Sequence, residues 1–229
     1  MRGEGFPRSD LDVVLVFEQV EHAWRESLWF EGWPVEVFGH DLATLSYFNR
    51  QDVHGGRPSL AQMIVEALVV PARDEFSDGI QAWARGILAN PPGPPPPDSL
   101  AAARYAISDL LDDLRDARPP AQLRAIACQL YPLVCNFVLK ARGDWSGSGK
   151  TLPVMLERAA PALSESLEGA FQLFFTIGER GALVDAVLAA LEPFGGELFA
   201  GFRADAPAAH RTANPELSAL LRLESGRRR

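Results

Sequence analysis

The stretch that decides the fold is Arg2-Gly3-Glu4-Gly5-Phe6-Pro7-Arg8-Ser9-Asp10-Leu11-Asp12-Val13-Val14-Leu15-Val16-Phe17. Its second half is apolar, β-branched and too short for a helix, so it predicts a strand buried on both faces inside a helix-covered sheet. Side chains alternate along a strand, which puts Asp10 and Asp12 on one face, roughly 6.5–7 Å apart at the backbone. Two like charges at the edge of a buried strand repel and lose hydration, and they call for a strong compensating charge. A divalent cation supplies it, and hard oxygen-only donors suit Mg²⁺. Turns and solvated caps also produce Asp-x-Asp, so the pair alone leaves both readings open.

Working outward, residues 18–31 are polar and aromatic with a helical look, and Gly32-Trp33-Pro34 breaks the chain. Val35-Glu36-Val37-Phe38 then reads as a second strand carrying a single acid. That acid needs a partner, and a metal site shared between neighbouring strands with Asp10 and Asp12 provides one. Residues 59–66 predict a short helix, and Ala67 to Val70 predicts a third strand. Asn90-Pro91-Pro92-Gly93-Pro94-Pro95-Pro96-Pro97-Asp98 lacks backbone donors and has locked φ angles, which predicts an extended spacer at a domain boundary.

Beyond the spacer the period becomes helical. Leu100, Ala103, Ile107, Leu110, Leu111 and Leu114 form one stripe; Leu123, Ile126, Leu130, Leu133, Val134 and Phe137 form the next, with Pro132 expected to kink it. Helices are also expected over 151–159, 161–177 and 181–192, completing a bundle of four or five. The expected organisation is α+β: a small mixed-sheet domain over 1–90, a linker over 91–98, an all-α bundle over 99–203 and a tail over 204–229.

With 229 residues, 47% hydrophobic and 23% charged, the chain has a globular composition. A net charge of −8 argues against a nucleic-acid partner. Apolar runs fall short of the ~18 residues of a membrane span, and the start lacks a signal-peptide pattern. Cys128 and Cys135 read as core residues of a cytoplasmic protein. His22, His40, His54 and His210 lack metal-ligand spacing and read as surface or interface residues. Trp29, Phe30, Trp33 and Phe38 read as core or interdomain packing, and Asp109, Asp112, Asp113 and Asp116 as a solvated helix face.

Gly147-Ser148-Gly149-Lys150-Thr151 resembles the end of a phosphate-binding loop, but position 144, where the first glycine belongs, holds Asp144. Lys150 still stands out as one of two lysines in the chain, the other being Lys140. A lysine after a glycine loop at a helix start can reach a triphosphate, or can simply be solvated.

Gly-Glu-Gly-Phe-Pro-Arg-Ser-Asp-Leu-Asp-Val-Val resembles the core of the nucleotidyltransferase superfamily that includes DNA polymerase β, and most closely its small bacterial branch of kanamycin and other aminoglycoside nucleotidyltransferases. The resemblance implies that Asp10 and Asp12 hold Mg²⁺ on a nucleoside triphosphate such as ATP. Glu36 would be a third ligand or would help to deprotonate the attacking hydroxyl of an acceptor. Arg2, Ser9 and Lys150 are the expected nucleotide-binding residues. The Arg104-Tyr105 pair, Asp109 to Asp113 and the loop from Trp145 to Lys150 look like the helical domain that follows in single-chain members, so the likeness covers most of residues 1–203. The family's Gly-Ser phosphate clamp and a preceding helix would fall upstream of Met1. The expectation is therefore either an N-terminally truncated enzyme, with apolar sheet surface left bare, or a non-catalytic, antitoxin-like binding protein of the same fold. A homodimer is left open.

Overall fold

A computed structural model describes residues 9–206; Arg2, His210 and the greater part of the expected tail lie outside them. The architecture is α+β: a three-stranded mixed sheet near the N-terminus followed by eight helices among the described residues. The strands are β1 (Leu11–Val16), β2 (Trp24–Phe30) and β3 (Trp33–His40), in the order β1-β3-β2. Strand β3 runs parallel to β1 and antiparallel to β2.

The expected helical look of residues 18–31 gives way to β2, because Trp24, Glu26, Leu28 and Phe30 alternate with Arg25, Ser27 and Trp29. Glu31 (φ 48°) and Gly32 (φ 84°) close the hairpin with two successive left-handed residues, a turn whose twist matches that of paired strands. A glutamate at the first of these positions hides the turn, since Asn-Gly or Asp-Gly is the usual signal.

Register sorts the sheet into two faces. One carries Asp12, Val14 and Val16 of β1, Arg25 and Ser27 of β2, and Glu36, Phe38 and His40 of β3. Val14 and Val16 pack there against a small core of Leu45, Leu60, Ala61, Ile64 and Ala84. That core is supplied by α1 (Leu42–His54), α2 (Ser59–Glu66) and α3 (Glu75–Leu88). The other face carries Leu11, Val13, Leu15, Trp24 and Leu28 beside Val35 and Val37, none of them part of either helical core. The strand order puts β1 at an edge of the sheet, and Leu11, Val13 and Leu15 are exposed, so β1 is not the strand buried on both faces that its apolar run suggests.

Helix α2 matches its expected range, whereas Ala67 to Val70 forms no strand: the Gln81 side chain takes the carbonyls of Ile64 and Ala67, and Leu68 and Val70 face outward. Helices α1 and α3 add to the expected set. Each opens with a reciprocal capping box, Asp41 with Thr44 and Asp74 with Ser77, which satisfies first-turn backbone donors.

Five further helices, α4 (Pro97–Arg115), α5 (Pro120–Ala141), α6 (Thr151–Ala159), α7 (Pro161–Ile177) and α8 (Gly181–Leu191), build the second core. Helix α4 begins inside the proline run, with Pro97 at its first turn, where a missing N–H costs nothing. Ile107, Leu111, Leu114, Leu130, Val134, Leu167 and Leu183 are fully buried, each contributing on the order of 1.5–3 kcal/mol. Helix α5 is long and apolar enough to cross a membrane by length and composition alone, contrary to the sequence expectation; in this fold its Leu130, Val134, Phe137 and Val138 lie in the middle of that core. Cys135 is buried as expected, and Cys128 is exposed on the same helix.

Among the described residues, those up to Phe199 form one compact unit that includes the proline-rich segment; a second unit starts at Ala200. Glycine at 143 lets that segment pass close by, since a Cβ there would lie 2.9 Å from Pro94 Cδ. Arg104 donates to the carbonyls of Gly195 and Gly196, tying α4 to the chain after α8, and Tyr105 stacks on Phe199.

Candidate functional site

Asp10 lies just ahead of β1, Asp12 lies in it, and Glu36 is the register partner of Asp12 on β3. Parallel partners point to the same side, so the three acids converge: each offers a carboxylate oxygen, and these oxygens all lie within 4.8 Å of one another. Asp10 and Asp12 are exposed and Glu36 is half-buried. An oxygen-only set of this kind fits a hard divalent cation such as Mg²⁺.

Glu36 also meets a cation of the protein itself. Arg25 Nη2 donates to both Glu36 oxygens at 2.5 Å, and Ser27 Oγ donates to one of them at 3.4 Å. The guanidinium lies over the Phe38 ring, 5.2 Å from its centre. Both contacts follow from register, because Ser27 pairs with Glu36 and Arg25 with Phe38. Arg25 and Ser27 escape a sequence reading that takes residues 18–31 as helical; the alternation of Arg25, Ser27 and Trp29 is the signal that reveals them.

Lys150, in the loop ahead of α6, acts on this site through its charge. Its loop is anchored by Trp145 Nε1 donating to Leu88 O (3.0 Å), by Ser146 N and Oγ both donating to Gly56 O (2.8 Å), and by the Asn136 amide gripping both backbone groups of Gly147. Gly147 has no room for a side chain, since a Cβ would lie 2.9 Å from Leu152 Cα. The loop ends at Lys150, directly before α6, and the field of its ammonium reaches Asp12. The segment runs from helix to loop to helix, so the strand of a phosphate-binding loop is missing and that reading falls away.

The electrostatics reflect this crowding. Burial, then the charges of Asp10 and Glu36, push the Asp12 carboxyl above its usual range, while Lys150 and Arg25 pull it back. The hydrogen bond from Arg25 holds the Glu36 carboxyl below its usual range against a smaller effect of desolvation. Three carboxylates thus face two cationic side chains, and negative charge is left over for a bound cation.

Ser9 is half-buried next to Asp10. Of the aromatic residues expected in packing, Trp29 and Phe30 are 76% and 63% exposed and Trp33 is also exposed; they flank the hairpin turn and belong to neither helical core. His40 is buried instead of at the surface; it contacts Thr44 Oγ1 at 3.3 Å, and burial lowers its pKa. Asp109 is exposed on α4, and Asp112, Asp113 and Asp116, the last at the helix end, pair with Arg115 and Arg118, as expected of a solvated face.

No family profile and no curated protein matches the chain. Among solved structures it is similar to a nucleotidyltransferase-like protein from Exiguobacterium sibiricum 255-15, at 10% identity and a TM-score of 0.41 over 80% of this chain. The chain spans 60% of the length of that protein.

Proposed function

We propose that the chain is a metal-dependent nucleotidyltransferase that moves a nucleoside monophosphate, AMP from ATP, to a hydroxyl of a small molecule or protein in the cytoplasm, releasing pyrophosphate. The observation that carries this reading is the convergence of Asp10, Asp12 and Glu36 to within 4.8 Å on one sheet face. The charge field of Lys150 at Asp12 supports it, as does the resemblance of the sequence around Ser9, Asp10 and Asp12.

Asp10 and Asp12 are the residues that would hold Mg²⁺, with Glu36 as the third acid. Bound there, the cation would neutralise triphosphate charge and favour attack at the α-phosphorus. Lys150 and Arg25 provide positive charge for the phosphate oxygens that leave as pyrophosphate. The acceptor oxygen forms the new bond to phosphorus as the bond to pyrophosphate breaks, and the hydroxyl proton passes to a carboxylate or to water. Glu36 is a poor base while Arg25 holds its carboxyl low, so its part is that of a ligand more than of a proton acceptor.

The test is incubation with Mg²⁺ and labelled ATP against candidate hydroxyl acceptors, following pyrophosphate release. Release that depends on Asp10 and Asp12 supports the enzyme. A second reading, a nucleotide-binding protein without transfer, draws on one observation: Arg25 already occupies both oxygens of Glu36. Nucleotide binding without pyrophosphate release under any acceptor would favour it.

A further inference from the structure

A carboxylate offers about four lone-pair positions, and Arg25 and Ser27 engage three of them on Glu36. A metal ion seeking the same oxygens must displace a group of its own sign. Arg25 is no loose surface arginine, because its guanidinium is held between the Glu36 carboxylate and the face of Phe38. Its side chain is nevertheless 60% exposed, so a ligand arriving from solvent can reach it. Asp10 and Asp12 have no such hydrogen-bonded partner in β2: Ser27 pairs with Glu36, and among the described strands β1 pairs with β3 alone.

We infer that Arg25 controls access to the third carboxylate: it keeps Glu36 out of the metal set until a polyphosphate takes the guanidinium, so that the full three-acid site assembles only with the nucleotide in place. This rests on the function proposed above and adds an order of binding to it. The chemistry favours the exchange, since phosphate oxygens accept a guanidinium in the same forked geometry as a carboxylate and bring more charge. Without nucleotide, Asp10 and Asp12 bind a divalent cation by themselves. With Arg25 turned to phosphate, Glu36 is free to join them.

The test is titration of the nucleotide-free protein with Mn²⁺ alone, following free Mn²⁺ by electron paramagnetic resonance, for wild type, Arg25→Gln, Glu36→Gln, the double variant and Asp12→Asn. The expected results are about tenfold tighter binding for Arg25→Gln, the scale on which partners of metal ligands act, a smaller loss for Glu36→Gln than for Asp12→Asn, and loss of the gain in the double variant. In a second arm, with EDTA present, inorganic tripolyphosphate should bind Arg25→Gln about tenfold more weakly than wild type, the scale of charge-assisted hydrogen bonds. Equal Mn²⁺ affinity of Arg25→Gln and wild type overturns the inference. A Glu36→Gln loss as large as that of Asp12→Asn does so too, as does tripolyphosphate binding indifferent to Arg25. If wild-type binding depends on Asp12 but not on Arg25, the metal site stands and the control by Arg25 falls. If neither wild type nor Arg25→Gln binds Mn²⁺, both readings fall.

Discussion

Asp12 on β1 and Glu36 on β3 are register partners in a parallel pair, so their carboxylates rise from adjacent backbone positions on one face of the sheet. Asp10 joins them through the two-residue period of the strand. The arrangement opposes stability, because burial and its two neighbours push the Asp12 carboxyl above its usual range. Groups that strain the fold and converge on one point are candidates for chemistry.

Asp10→Asn and Asp12→Asn separate these roles. Each should lower pyrophosphate release by about two orders of magnitude or more. Neither should unfold the chain, and Asp12→Asn should hold or raise the melting temperature, since it removes a repelled charge. Transfer at the wild-type rate in either variant would refute the site assignment.

Lys150→Ala tests the contribution of the loop. The residue is exposed at the start of α6, so the melting temperature should not move. Nucleotide affinity should fall roughly tenfold, the scale of one charge-assisted hydrogen bond. Unchanged affinity would make Lys150 an ordinary solvated lysine.

The reach of the sequence follows from what each signal depends on. Asp10, Asp12 and Glu36 are legible because strand parity fixes their face and a lone acid in an apolar strand demands a partner. The helices of the second core are legible because stripes such as Ile107, Leu111 and Leu114 repeat with the helical period. Arg25 is hidden because Glu31 occupies a left-handed turn position that usually marks itself with Asn or Asp. Helix α1 is hidden because its buried side includes Asn49 beside Leu45, which leaves little apolar contrast; its capping pair, Asp41 and Thr44, was the signal available. The partial exposure of Leu11, Val13 and Leu15 depends on which elements lie over the sheet, and no local pattern encodes that.

Asp41 carries a pH dependence whose sign can be worked out. Its carboxylate accepts from Thr44 N (2.8 Å) and Val20 N (3.1 Å), and these bonds, Thr44 first, hold its pKa below the usual value. Between the depressed folded value and the ordinary one near about 4, the unfolded chain binds the proton and the folded chain does not. Stability therefore rises with pH across that window, and the contribution is lost as pH falls through the folded value. Asp41→Ala should melt several degrees below wild type at neutral pH, the usual scale for a lost helix cap. The gap should narrow steadily on acidification, and a gap that does not change with pH would show that the cap acts through shape and not through charge.

Gly56→Ala joins the seat of the loop to the site. Gly56 has φ +71°, which an L side chain rarely adopts, and a Cβ there would lie 3.0 Å from Ser146 Oγ. The strain costs on the order of 1 kcal/mol. The same residue supplies the carbonyl that receives Ser146 N and Oγ, so moving it loosens the anchor of the loop that ends at Lys150. Gly56→Ala should therefore lower both melting temperature and nucleotide affinity. Ser146→Ala keeps the backbone bond to Gly56 and should lower both by less. A Gly56→Ala protein that melts early yet binds nucleotide at full strength would show that Lys150 does not depend on this seat, and that the link from α1 to the site runs through other contacts.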